Sequence, residues 1–231
     1  MTWDFNRRKL LQISALSGAS WLLPSLRHSA KAATYSEEEL RNNPAYALQA
    51  LIDGNKRFSG HHPFYPHQDR KRVSLVSKGQ HPFATVLSCA DSRVPVEILF
   101  DQGVGDIFDV RVAGNIVTPS VMGSIEYAVD QLATPLLMVL GHENCGAVTA
   151  AVKDMKLPGD MSTFIDAIMP AVEQCQEQEG DAIDNAVRQN VQYQIEQLTK
   201  SELIQKRLND GTLKLAGARY DLNSGSVSVL T

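Results

Sequence analysis

Leu136-Leu137-Met138-Val139-Leu140-Gly141-His142-Glu143-Asn144-Cys145-Gly146 decides how this chain folds. Five consecutive apolar residues without a polar alternation read as a strand buried on both faces, the type found in parallel sheets. The run stops at Gly141, and a polar turn then leads into the helical Gly146-Ala147-Val148. Upstream, Phe83 to Leu87 is a second short strand, and it too runs straight into a polar turn, Ser88-Cys89-Ala90-Asp91-Ser92-Arg93-Val94-Pro95. Between the two, Val94 to Phe100 reads as helical, Ile107 to Val112 as a strand and Ser120 to Gln131 as a helix. Alternation of this kind predicts an α/β fold with a central, mostly parallel sheet flanked by helices.

Further out, Met161 to Leu208 carries a helical pattern interrupted around Gly180. Leu213 to Ala218, the turn signal Asp221 to Gly225 and Val227 to Leu230 then predict a C-terminal strand pair. On the N-terminal side, Ser36 to Phe58 has apolar positions at helical spacing. Ser36 followed by Glu39 makes a capping-box start. A His- and Pro-rich connector, His61 to Gln68, separates this helical arm from the core.

The first residues read as an address. Asn6-Arg7-Arg8-Lys9-Leu10-Leu11 is a basic region with adjacent arginines, Ile13 to Leu23 is apolar, and Ala30-Lys31-Ala32 offers a cleavage site. That is the pattern of a twin-arginine export signal. The apolar segment is shorter than the roughly 20 residues a spanning helix needs, so no stable membrane span is expected in the mature chain. The expected organisation is a signal peptide over 1–32 and one domain over 33–231, with the arm at 33–60 and the core at 81–231. Export to a periplasm or a thylakoid lumen follows from the same pattern.

The chain has 231 residues, 43% of them hydrophobic and 21% charged, with a formal net charge of −4. A chain of this kind is globular and has no electrostatic reason to bind nucleic acid. Its three cysteines are too few for a disulfide scaffold and cannot all pair.

Both polar turns lie where open α/β sheets place their sites, beyond the carboxyl ends of strands. Cys89, His142 and Cys145 offer two thiolates and an imidazole, a donor set suited to Zn²⁺, and three protein ligands leave a fourth position open. Two buried cysteines beside a core histidine are the plain alternative. Asp91 and Arg93, two residues apart in a turn, can pair so that the carboxylate stays ionised and oriented. Alone they read equally well as a structural ion pair. Cys175 reads as a spare thiol, and His61, His62 and His67 as part of a solvated connector.

Cys-x-Asp-x-Arg followed by His-x-x-Cys resembles the signature of the β-carbonic anhydrases. The likeness extends to Asn55-Lys56-Arg57-Phe58, Arg111-Val112-Ala113-Gly114-Asn115 and Ser124-Ile125-Glu126-Tyr127-Ala128, and covers about residues 36 to 231. The resemblance implies reversible hydration of carbon dioxide to bicarbonate and a proton by zinc-bound hydroxide. It makes Cys89, His142 and Cys145 the zinc ligands and Asp91 and Arg93 the catalytic dyad, with Asp91 as a fourth ligand in a closed state. It assigns Gln80, Phe108 and Tyr127 to the substrate pocket, and it implies a homodimer or higher homo-oligomer with the site near the subunit interface. Two rival readings remain: a carbon disulfide or carbonyl sulfide hydrolase on the same fold, and a non-catalytic zinc-binding module. Intact Asp91, Arg93 and Gln80 argue against the second.

Overall fold

A computed structural model describes residues 35–231; the 1–32 signal peptide expected from sequence lies outside them. The arm forms two helices, α1 (Glu37–Asn42) and α2 (Pro44–Ser59). The capping box is present as read, with Ser36 and Glu39 bonding reciprocally. The single helix expected over 36–58 is broken, however. Asn43 is extended and its side chain accepts from the Ala45 and Tyr46 N–H groups, while Pro44 stands at the first position of α2. Proline lacks the N–H that would continue α1 and suits a helix start, so the chain caps and begins again.

Next come α3 (Arg70–Val76), β1 (Ala84–Ser88), α4 (Val96–Leu99), β2 (Ile107–Arg111) and α5 (Pro119–Glu126), which runs on as a π turn over Tyr127–Gln131. They are followed by β3 (Leu136–His142), α6 (Gly146–Val152), α7 (Ser162–Cys175), α8 (Ala182–Leu198), α9 (Glu202–Asn209), β4 (Lys214–Tyr220) and β5 (Val227–Val229). The strand order is β2-β1-β3-β4-β5. The first four strands are parallel, and β5 returns antiparallel to β4 as the expected closing pair.

The apolar run of β3 is explained by its place. It lies between β1 and β4, and all seven of its residues are buried. Leu136, Met138 and Leu140 pack on one face with Ala47 and Leu51 of α2 and Val96 and Leu99 of α4. Leu137 and Val139 pack on the other with Ile125 of α5, Val191 and Leu198 of α8 and Ile204 of α9. Helices thus cover both faces, as a parallel sheet requires. No helix among the described residues is long and apolar enough to cross a membrane.

Candidate metal centre

Because β1 and β3 are parallel neighbours, their carboxyl ends lie side by side, with Ser88 opposite Leu140. Cys89 follows one end immediately; His142 closes the other, and Cys145 caps α6. Their ligand atoms all lie within 4.8 Å of one another, and the two sulfurs are 4.0 Å apart. Two thiolates about 2.3 Å from one tetrahedral zinc stand about 3.8 Å apart, so the spacing fits that ion.

The three residues are 5%, 0% and 1% exposed in the order Cys89, His142, Cys145. His142 Nδ1 lies 2.9 Å from the Glu143 carbonyl, so it carries the proton and donates. That leaves Nε2 with its lone pair, and Nε2 is buried with no hydrogen-bond partner among the described residues. A buried imidazole nitrogen without a partner is costly unless a cation completes it. The donor set and this orphaned atom fit zinc.

The two thiols share their proton unevenly. The Cys145 thiol donating to Cys89, with help from the Gly114 N–H, holds Cys89 well below the usual thiol range. The same contact and burial push Cys145 up. Gly114 donates to Cys89 Sγ at 3.4 Å from a left-handed conformation (φ 72°). A Cβ there would lie 2.6 Å from Ile168 Cδ1, so only glycine lets the backbone come this close.

Asp91 sits at the rim. Its Oδ1 accepts from Arg93 N and Nε, both at 2.9 Å, and its Oδ2 from Arg93 Nη2 at 2.8 Å. This guanidinium holds the carboxyl down to about 2, so it is ionised at neutral pH. Oδ2 lies 3.9 Å from His142 Nε2, so the carboxylate is beside the ligand cluster while paired with Arg93. Arg93 also reaches the Asn144 carbonyl at 3.4 Å, which links the two motif segments.

A family model described as carbonic anhydrase matches residues 84–227, a span that takes in both motifs and four of the five strands completely. This chain belongs to the β-carbonic anhydrase family. Carbonic anhydrase 2 of Mycobacterium tuberculosis is 39% identical over 188 residues, 79% of this chain and 91% of that protein. The carbonic anhydrase of Mycolicibacterium smegmatis is 39% identical over 193 residues, 81% and 94% of the two chains. Among solved structures, the β-carbonic anhydrase CcaA superposes with a TM-score of 0.63 at 31% identity, covering 80% of this chain and 87% of that one. Zinc is the cofactor of this family, and Cys89, His142 and Cys145 form a group positioned for a metal ion.

The remaining predicted residues are not brought to the centre within one chain. Gln80 precedes the amino end of β1, and Cys89 follows its carboxyl end, so the strand alone separates them by about 16 Å. Phe108 pairs in register with Thr85, about 10 Å short of Ser88 along the sheet. It packs beside Tyr127 (ring centroids 6.2 Å apart), which is 48% exposed. Cys175 is buried in the α6–α7 core, consistent with a spare thiol. His67 is exposed, as the solvated reading expects, and its Nδ1 also pairs with Asp106 at 2.8 Å.

In the sequence, Arg111 and Gly114 stand out only as context for the two motifs, and Glu143 carries no visible role. Glu143 accepts from Leu222 N at 3.1 Å and from the Asn223 side chain, fixing the β4–β5 turn against the His142 segment. Position at a strand's carboxyl end was the available signal for Arg111 and Glu143.

Proposed function

We propose that this protein is a zinc-dependent carbonic anhydrase in which Cys89, His142 and Cys145 hold the metal and Asp91 and Arg93 serve the chemistry. The observation that carries the reading is the buried, partnerless His142 Nε2 facing two thiols at zinc spacing, beside a carboxylate kept ionised by Arg93. Zinc bound there supplies the acidity that makes water a nucleophile near neutral pH. Arg93 occupies the lone pairs of Asp91 on its own side and leaves the carboxylate able to accept a hydrogen bond from the attacking water. The accepted bond orients a water lone pair toward carbon dioxide. The water oxygen bonds to carbon, one carbon–oxygen π pair moves onto oxygen, and a proton leaves to solvent, giving bicarbonate.

Gln80, Phe108 and Tyr127 serve as pocket residues in this reading, and their distance from Cys89 along β1 gives them that role only toward a second chain. A homodimer or larger homo-oligomer is therefore part of the proposal. The outer edge of β2 has no strand partner among the described residues, and Ile98, Val104 and Tyr127 are exposed apolar side chains. Such an edge is normally covered. We further propose residues 1–32 as a twin-arginine signal and 33–231 as the mature enzyme, exported to a periplasm or thylakoid lumen. Adjacent Arg7 and Arg8 before an apolar segment support this.

The deciding experiment is carbon dioxide hydration by zinc-analysed protein starting at Ala33, with carbon disulfide and carbonyl sulfide as parallel substrates. Hydration at a rate proportional to zinc content is expected. Turnover of a sulfur substrate alone would replace the reading, and stoichiometric zinc without any turnover would reduce the protein to a binding module.

A further inference from the structure

The β1–β2 ladder ends at the pair Ser88–Arg111, and the segment bearing Cys89 and Asp91 leaves the sheet there. Beyond that point the backbone makes two more bonds, from Val112 N to Ser88 O at 3.1 Å and from Ala90 N to Val112 O at 3.3 Å. The side chain of Arg111 takes over from the ladder. Its Nε donates to the Cys89 carbonyl at 3.1 Å and its Nη2 to the Asp91 carbonyl at 2.6 Å. One planar guanidinium thus grips the backbone on both sides of Ala90, through two charge-assisted bonds. Asp109 Oδ2 lies 4.0 Å from Nε, outside hydrogen-bond range, so the carbonyls are the partners of the fork. Asp91 O has one further donor, Val94 N, and Cys89 O has none other among the described residues.

We propose that Arg111 is a positioning residue for the hydration reaction: its fork fixes the distance between the metal ligand Cys89 and the acceptor carboxylate Asp91. This rests on the reading of Asp91 given above. Cys89 and Asp91 face one centre from a short turn, and neither side chain sets the spacing of their backbones. Arg93 orients the Asp91 carboxylate from within the same turn, and its tie outside that turn is the Asn144 carbonyl at 3.4 Å, not the sheet. Arg111 anchors the turn to the sheet. Lysine cannot replace it, because an ammonium on a flexible stem satisfies one carbonyl at a time and lacks the rigid fork.

The test uses the zinc-loaded mature protein with Arg111→Lys, Arg111→Gln, Asp91→Asn and the double variant Asp91→Asn/Arg111→Lys. Hydration kinetics and the rate of zinc release to a chelator are the two readouts, with thermal melting to confirm folding. Arg111→Lys should lower kcat about tenfold, since small misplacement of a reacting group is costly. KM should stay within about twofold, as substrate binding is not what is lost. Zinc release should quicken about tenfold or more, as for other groups that orient a ligand. In the Asp91→Asn background the same lysine should cost less than about twofold in kcat, because the residue it positions no longer acts. Arg111→Gln, which keeps one amide donor, answers the same questions if lysine disturbs the fold. Unchanged kcat and zinc release in a folded Arg111 variant would overturn the inference. So would a kcat loss of equal size in the Asp91→Asn background, which would make Arg111 a general structural residue. Wild-type turnover in Asp91→Asn would sink the reading of Asp91 and this inference with it. An impaired Asp91→Asn beside an unimpaired Arg111→Lys would overturn this inference alone.

Discussion

The two turns that build the centre are held by different means. The His142–Cys145 turn grows from the central strand and is fixed by backbone and core. Glu143 N donates to Tyr220 O at 2.9 Å, Thr149 N to Cys145 O at 2.8 Å, and both ligands are buried. Gly141 lets β3 press against α8, where a Cβ would lie 2.6 Å from Val191 Cγ2. The Cys89–Arg93 turn is held chiefly by side chains. Arg111 grips its carbonyls and Arg93 its carboxylate, while the Arg93 side chain itself is 52% exposed. A buried, backbone-fixed turn suits retention of a metal. A turn braced by charged side chains at the rim suits exchange of water, substrate and protons. On the proposed function, the difference divides one site into a holding half and a working half.

The largest effect should come from the holding half. His142→Ala and Cys145→Ser should lose most of their zinc and fall to background hydration, as read by metal analysis and stopped-flow rates. Cys89→Ser should do the same, since this residue belongs to both halves. Near-stoichiometric zinc in any of the three would break the assignment.

In the working half, Asp91→Asn and Arg93→Ala should keep their zinc and lose at least about tenfold in rate, roughly 1.4 kcal/mol in the barrier. Zinc loss equal to that of His142→Ala would erase the division.

Gly114→Ala tests the contact between the halves. A methyl group against Ile168 at a positive φ should cost about 1–3 kcal/mol in stability. Unfolding curves measure it, and a neutral result would show that the backbone at Gly114 shifts freely.

The smallest effect should appear just outside the site. Burial, and then the Glu97 charge, push Asp109 up to about 6. A carboxyl raised in the folded state above its ordinary value costs stability where it is forced to ionise, above about pH 6. The cost fades as pH falls from about 6 toward the unfolded value near 3.9. Asp109→Asn should therefore melt a few degrees above wild type, on the order of 2–4 °C per kcal/mol relieved, at pH 8 and lose that advantage by about pH 4. An advantage independent of pH would assign the gain to packing.

Much of this was legible in the sequence because β3 and the two turns state their place locally. An unbroken apolar run can only be a central strand or a buried helix, and the glycine and polar turn after it exclude the longer helix. The ligands were readable because softness and His-x-x-Cys spacing are local properties. The break at Asn43-Pro44 was also local, and the helical periodicity on either side hid it. α3 escaped because Arg70-Lys71-Arg72-Val73 has no apolar stripe; its order comes from Asp69, which caps it, and from Arg72, which pairs with Asp106 at 2.8 Å. Arg111 could not be read as a brace, since its role depends on register with Ser88. The placing of Gln80 and Phe108 likewise follows from strand direction, which no spacing of residues reveals.

The parallel pairing of β1 with β3 also governs when the centre can come into being. The two sulfurs are 56 positions apart in the chain, and they meet only after β2 and α5 have been laid down and β3 has docked beside β1. Parallel strands joined by crossovers close long loops before any contact repays the cost, so this core assembles slowly. A nascent chain therefore has no centre to load until the turn after β3 has emerged and seated. Metal capture then falls at the end of folding, and its free energy adds to that of the finished fold.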